Sequence, residues 1–175
     1  MRTIIVSIVA LLLSAYTGIP EGIEPVEDFN IDRYLGKWYE IARLDHSFEK
    51  GLSNVTAQYS LREEGGVKVI NTGYSNEKQE WKSAEGKAYF VSDKSKGYLK
   101  VSFFGPFYGS YIIFKLDKIN YQYAFITSHK REYLWLLART PVVSDTVIQD
   151  FINASKNNGF RTEKIIFVEH DLHNK

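Results

Sequence analysis

The chain has 175 residues, 44% of them hydrophobic and 15% aromatic, which suits one domain with a sizeable core and makes a second domain unlikely. Its 22 basic and 21 acidic residues leave a formal charge of +1, so nothing in the charge balance favours nucleic acid as a partner. The chain has no cysteine, which excludes disulfide bonds, a thiol nucleophile and a thiolate metal site.

Residues 1–18 have the pattern of an export signal. Arg2 supplies a positive charge, and residues 3–13 form an apolar run that is too short to span a bilayer comfortably. The run ends in Leu13-Ser14-Ala15-Tyr16, which resembles the bacterial lipoprotein processing box with a tyrosine at the cysteine position. Because that position carries no thiol to acylate, we expect either cleavage to a soluble periplasmic protein or retention through an uncleaved signal.

The rest of the chain has the pattern of an antiparallel meander. Residues 19–30 predict an extended tether, and residues 32–35 a short turn or helical segment. Strand patterns then recur about every 8 to 16 residues. They cover residues 36–43, 55–61, 67–70, 81–91, 99–104, 111–116, 121–128 and 133–139. Residues 63–66 predict a hairpin turn, and residues 105–109 a turn flanked by aromatic rings.

After Pro141 the hydrophobic period changes from that of a strand to that of a helix. Residues 144–158 place apolar side chains on one helical face, with Ser144 as the N-cap and Gly159 as the stop. Residues 161–168 predict a ninth strand and residues 169–175 a polar tail. The predicted fold is all-β: an eight-stranded antiparallel up-and-down β-barrel with one helix packed outside and a short ninth strand.

Several short motifs resemble those of the lipocalins, in particular the bacterial lipocalins, over residues 28–168. They are Gly36-x-Trp38-Tyr39 in the first strand, Leu116-Asp117 to Tyr121 before the seventh strand, and Arg139 at the end of the eighth. The stretches 39–46, 85–90, 101–109 and 133–137 are also similar to the family. Trp38 is large enough to floor a small barrel, and Arg139 can cover its indole in a cation–π contact of ~0.5–2 kcal/mol. We therefore expect the signature residues Gly36, Trp38, Tyr39, Asp117, Tyr121 and Arg139 to determine the fold.

The resemblance implies a barrel that holds a fatty acid or lysophospholipid without enzymatic activity or a cofactor. Inward-facing positions alternate along each strand, and the candidate ligand contacts are Ala88, Phe90, Leu99, Val101, Phe103, Tyr108 and Trp135. Trp135 and Tyr108 are the best candidates, because the resemblance places them near the open cavity. It also implies an envelope protein, possible homodimerisation, and attachment to the inner leaflet of the outer membrane if the chain is anchored.

Three other interpretations compete with a lipid carrier. An enzyme on the same fold lacks support, because no cysteine is present and no pair of carboxylates stands out near His46. A transmembrane barrel would need an apolar outer band, whereas lysines alternate within the predicted strands at Lys68, Lys87, Lys100 and Lys115. The third alternative is an envelope scaffold with a vestigial pocket. His170 and His173 are expected to be solvated in the polar tail, and no metal site is predicted.

Overall fold

The computed structural model describes residues 17–171. The predicted processing box with Tyr16, and His173 in the tail, lie outside the described residues. Helix α1 spans Ile31–Tyr34, and the strands of the barrel follow it in chain order. They are β1 (Gly36–Leu44), β2 (Leu52–Leu61), β3 (Val67–Ser75), β4 (Glu80–Phe90), β5 (Tyr98–Phe104), β6 (Phe107–Leu116), β7 (Tyr123–Thr127) and β8 (Leu134–Ala138).

The eight strands close into a barrel. Each strand pairs antiparallel with the next, and β1 pairs with both β2 and β8, for example through Trp38 with Ala57 and Arg43 with Trp135. Closure confirms the predicted up-and-down β-barrel. Because successive connections alternate between the ends, the β1–β2, β3–β4, β5–β6 and β7–β8 loops share one end, which we call the mouth. The opposite end, near Trp38 and α1, is the floor.

Alternation along the strands produces two apolar clusters on opposite sides of the barrel wall. The inner cluster includes Trp38, Tyr59 and Ala88, and the outer cluster includes Ile112, Phe125 and Leu136. A register shift in β1 between Glu40 and Ala42 changes which side chains face inward. Past this bulge, the alternation of inward- and outward-facing side chains in β1 is therefore shifted by one residue.

Helix α2 (Asp145–Asn157) packs on the outside of the barrel, as its apolar face predicts. The Ser144 side chain caps its first turn by accepting a hydrogen bond from the amide of Val147. Phe151 is fully buried and meets the Phe125 ring edge to face at 5.1 Å. No helix among residues 17–171 is long and apolar enough to cross a membrane.

The ninth strand, β9 (Ile165–Phe167), extends the sheet beyond the barrel. It pairs with β1 at Ala42 to Leu44, where β1 no longer pairs with β2. The strand is shorter than predicted, because Thr162–Lys164 form a 3-10 helix before it. The predicted turn over residues 105–109 is also shorter, since β6 already begins at Phe107 and only Gly105 and Pro106 lie between the strands.

Residues 19–30, predicted as a tether, lie against the barrel. Ile23 belongs to the outer cluster and Phe29 to the inner one, and both side chains are buried. The backbone of Val26 bonds to Ile113 and Gly97, so this segment continues the hydrogen bonding of the wall. Asn30 then caps α1, as its side chain accepts bonds from the amides at positions 32 and 33.

Candidate ligand-binding site

The floor of the barrel is closed by Trp38 and Arg139. Trp38 has no exposed surface, its indole N–H donates to the carbonyl of Tyr34 at 2.8 Å, and the guanidinium carbon of Arg139 lies 3.9 Å from the indole centroid. Gly36 has a φ of 95°, and a β-carbon there would lie 3.3 Å from an Arg139 nitrogen. The glycine, tryptophan and arginine of the signature thus form one packed unit.

The other signature residues fix the β6–β7 turn beside the floor. The Asp117 carboxylate accepts hydrogen bonds from the amides of Ile119, Asn120 and Gln122. Tyr121 has a φ of 54°, and its hydroxyl accepts a bond from the amide of residue 30 at 3.0 Å. Tyr39 instead lies on the outer face, where its ring meets His170 edge to face. His170 is half-buried and contacts the Glu40 carbonyl, so it is less solvated than predicted.

Three tyrosines form a hydrogen-bonded group above the floor, which we call the tyrosine triad. They come from separate elements: Tyr34 from α1, Tyr59 from β2 and Tyr111 from β6. The Tyr111 hydroxyl lies 2.7 Å from that of Tyr34 and 2.8 Å from that of Tyr59. Burial raises the pKa of all three phenols, so they remain neutral hydroxyls at physiological pH.

Six of the seven predicted ligand contacts belong to or pack against the inner cluster. Ala88 and Leu99 are buried within it. Four others pack against this cluster and keep part of their surface accessible: Phe90, Val101, Phe103 and Trp135. This combination is expected of side chains that line a lumen.

Tyr108, the seventh candidate, lies apart from the inner cluster. Its ring is tilted against that of Tyr89, with the centroids 6.4 Å apart, and the ammonium of Lys100 lies 5.1 Å from its centroid. It lines a hollow of about 220 Å³ together with Lys100 and Pro106. Lys100 alternates with the inner-cluster residues Leu99 and Val101, so Tyr108 stands with side chains of the outer face.

A buried charged group occupies the lumen towards the mouth, which we call the mouth cluster. Arg43 donates to the Glu40 carboxyl at 2.8 Å and to the backbone carbonyl of Glu49 at 2.8 Å. The Glu49 carboxylate accepts from the indole N–H of Trp135 at 3.0 Å and lies 2.7 Å from His46 Nε2. These contacts fasten the β1–β2 loop to strands β1 and β8.

The two carboxyl groups of the mouth cluster have opposite pKa shifts. Burial, and then the nearby charge of Glu49, raises the pKa of Glu40 well above its usual value, despite the opposing effect of Arg43. Burial also acts to raise the pKa of Glu49, but His46, Trp135 and Arg43 together outweigh it and lower this pKa. Of the two carboxyl groups, Glu49 therefore loses its proton at lower pH than Glu40 does.

The mouth cluster corrects one expectation from the sequence, because two carboxyl groups do pair near His46. They are nine positions apart and on different elements, a strand and a loop, so no local spacing indicated the pair. The tyrosine triad was missed for the same reason. Among residues 17–171, no group of three or more potential ligands could hold a metal ion.

This arrangement places a polar group at each end of a largely apolar inner wall. The walls offer rings and aliphatic side chains, the triad offers neutral hydroxyls at the floor, and the mouth cluster offers a carboxylate and a guanidinium. Four exposed aromatic residues are also placed towards the mouth, two of them flanking the short β5–β6 turn. They are Phe48, Trp81, Phe104 and Phe107.

Comparisons with known proteins agree with this geometry. Residues 29–170 match the model of the lipocalin-like domain family. The chain is 57% identical over 169 residues to Outer membrane lipoprotein Blc of Vibrio cholerae, covering 97% of this chain and 99% of that protein. It is 49% identical to the protein of the same name in Escherichia coli K12, covering 86% and 84% of the two chains.

More distant similarities extend the comparison. Temperature-induced lipocalin-1 of Arabidopsis thaliana is 32% identical, covering 82% of this chain and 80% of that protein. The crystal structure of insecticyanin from Manduca sexta superposes with a TM-score of 0.70 at 20% identity, covering 90% and 89% of the two chains. The motif resemblance, the closed barrel and the family match agree: this chain belongs to the lipocalin family.

Proposed function

We propose that this protein binds a fatty acid or lysophospholipid in the lumen of its barrel and stores or transports it in the bacterial cell envelope. The observation that supports the proposal most directly is the partial exposure of large apolar side chains beside the inner cluster. Phe90, Phe103 and Trp135 pack against the inner cluster yet keep accessible surface. A barrel filled completely by its own side chains would bury them.

The energetics favour a ligand with a long acyl chain. Each methylene group that leaves water contributes ~0.8 kcal/mol, so a long chain binds such a wall with few polar contacts. The polar end of the ligand would then lie near the mouth cluster. There the Arg43 guanidinium and the Glu49 carboxylate supply opposite charges within one buried group.

The proposed role is binding without catalysis. Glu40 and Glu49 form the carboxyl pair that an acid–base enzyme would need, but both carboxyl groups engage Arg43, His46 or Trp135. These contacts fix the β1–β2 loop and account for the pair in structural terms. The envelope location is supported by relatives named outer membrane lipoproteins. A homodimer remains part of the proposal.

A binding titration tests the proposal. Protein lacking residues 1–18 is first freed of copurified lipid, which is identified by mass spectrometry, and is then titrated with oleate and with a lysophospholipid. We expect saturable one-to-one binding that Trp135→Ala weakens, because Trp135 packs against the inner cluster. Trp81→Ala is the matched control, since Trp81 is 53% exposed and its ring meets only that of Tyr74, edge to face, among the ring contacts of the described residues.

The two variants distinguish a lumen site from surface adsorption. Equal losses in Trp135→Ala and Trp81→Ala would indicate adsorption to exposed rings and contradict the proposal. No binding by folded wild-type protein, together with no ligand-induced rise in melting temperature, would support the alternative of an envelope scaffold with a vestigial pocket.

A further inference from the structure

The tyrosine triad contains one more hydroxyl proton than it has hydrogen bonds. Each of Tyr34, Tyr59 and Tyr111 carries one O–H donor, and two hydrogen bonds join the three oxygens. Each bond uses one proton, so the third proton has no acceptor among the described residues. Tyr34 and Tyr59 are 2% and 6% exposed, and an unsatisfied donor in such a site costs ~1–3 kcal/mol.

The extra proton can be presented to the lumen. The hydroxyl rotors can be arranged so that Tyr111 accepts from both neighbours and keeps its own proton free. Tyr111 packs against the inner cluster and, unlike the other two, keeps part of its surface accessible. A group that enters the lumen as far as the triad would therefore meet a hydrogen-bond donor within an otherwise apolar wall.

The surroundings favour a neutral acceptor over an anion. The raised pKa values keep the three phenols as donors that do not ionise. Glu49 also acts electrostatically on Tyr59, more strongly than Arg139 does in the opposite direction. A carboxylate placed there would lose its hydration and meet this negative field, whereas a carbonyl or hydroxyl oxygen would lose little.

We propose that the tyrosine triad is a subsite for a neutral oxygen acceptor, such as a ketone, an ester or a hydroxyl group, carried by the part of the ligand that enters the barrel first. This inference rests on the proposed lipid-binding function and deepens it. It predicts that the lumen discriminates between oxygenated and plain hydrocarbon chains of equal length.

The test compares 2-nonanone with nonane. Both compete with the fluorescent apolar probe N-phenyl-1-naphthylamine for wild-type protein and for the triple variant Tyr34→Phe, Tyr59→Phe and Tyr111→Phe. We expect the triple variant to lose roughly 3- to 10-fold in affinity for the ketone relative to the alkane, the value of one net hydrogen bond. Tyr74→Phe is the matched control, because Tyr74 packs against Trp81, away from the triad.

Infrared spectroscopy of carbonyl-labelled 2-nonanone provides a measurement that needs no variant. The carbonyl stretch of the ketone bound to wild-type protein should lie below its frequency in hydrocarbon solvent. A hydrocarbon-like frequency would overturn the triad subsite while leaving lipid binding intact.

The competition experiment has two further outcomes. If neither nonane nor 2-nonanone displaces the probe, the proposed binding of apolar ligands in the lumen fails, and the subsite fails with it. Affinity for nonanoate at pH 8 provides the last comparison. If the triple variant loses as much affinity for nonanoate as for 2-nonanone, the triad is an anion site, contrary to the proposal.

Discussion

At the scale of single residues, Arg139 connects the floor of the barrel to three separate parts of the backbone. Its guanidinium covers the Trp38 indole and donates to the carbonyls of Tyr121, Lys37 and Arg33. A planar group with several fixed donors can make all these contacts at once. Arg139 therefore joins β1, helix α1 and the β6–β7 turn.

Replacing Arg139 by lysine should destabilise the fold although the charge is kept. An ammonium cannot reach the three carbonyls together or stack flat on the indole, so we expect a loss of about 1–3 kcal/mol in the free energy of unfolding. Urea unfolding measures it. Arg161→Lys is the control, since the Arg161 side chain is exposed to solvent, and this change should cost less than about 0.5 kcal/mol. Equal effects of the two substitutions would refute a special role for Arg139.

The signature residues were predicted from the motif resemblance, and the size of Trp38 and the charge of Arg139 supported a contact between them. The positive φ of Gly36 required the structure. Glu40 and Glu49 were not predictable in this way, because an ordinary glutamate acquires its role only when the β1 bulge and the β1–β2 loop bring the two carboxyls together. The same holds for the tyrosine triad, which draws on three distant elements.

At the scale of elements, the strands were predicted in number and order, and differ mainly at their ends. Alternation identifies the half-buried middle of a strand, but the ends depend on partners that the local pattern does not show. Thus β2 begins at Leu52, three residues before its predicted start, because it pairs with the end of β3. Turn length was overestimated at Gly105-Pro106 because the following rings belong to β6.

The β1–β2 loop offers a prediction about pH. Glu49 fastens the loop, and its lowered pKa stabilises the fold at every pH above its unfolded value of about 4.3. This contribution is lost as the pH falls through the folded pKa. Glu49→Gln should therefore cost about 1–3 kcal/mol at pH 7 and much less at pH 3. Glu40 acts in the opposite sense, because its raised pKa stabilises the fold below its unfolded value of about 4.3, and this contribution is lost as the pH rises through the folded pKa.

Urea unfolding at pH 7, 5, 4 and 3 checks this expectation. Glu64→Gln is the control, because the Glu64 carboxylate is 80% exposed and its pair with Arg62 is screened by solvent. We expect the control to follow the wild type at every pH. A Glu49→Gln deficit that is independent of pH would mean that shape, and not the charge of the carboxylate, fastens the loop.

At the scale of the whole molecule, different interactions stabilise the two ends of the barrel. The floor is closed by packing around Trp38, while the mouth is held by buried charge, with exposed rings nearby at Phe48 and Phe104. A ligand that enters through the mouth would pass the charged cluster before it reaches the tyrosine triad. The fold alone predicts a container, but the order of polar groups along its axis required the three-dimensional structure.

Attachment to a membrane is a separate property, and the sequence makes it testable. Relatives of this chain are named outer membrane lipoproteins. If Leu13-Ser14-Ala15-Tyr16 is a former processing box, as the sequence predicts, Tyr16 occupies the position of the acylated cysteine. We predict that Tyr16→Cys creates an acylation site and moves the protein into the membrane fraction of a Gram-negative host. Each methylene buried in lipid adds ~0.8 kcal/mol, and two or more chains give stable anchoring.

Labelled palmitate and cell fractionation measure the outcome directly. The Tyr16→Cys protein should incorporate label and sediment with membranes, whereas Tyr16→Ser, which has no thiol, should distribute as the wild type does. A cysteine variant that takes up no label and stays soluble would show that Leu13-Ser14-Ala15-Tyr16 is not a former processing box. Lipid binding should be unchanged in every case, because the lumen is built from residues far along the chain from position 16. Anchoring and binding can therefore be altered independently.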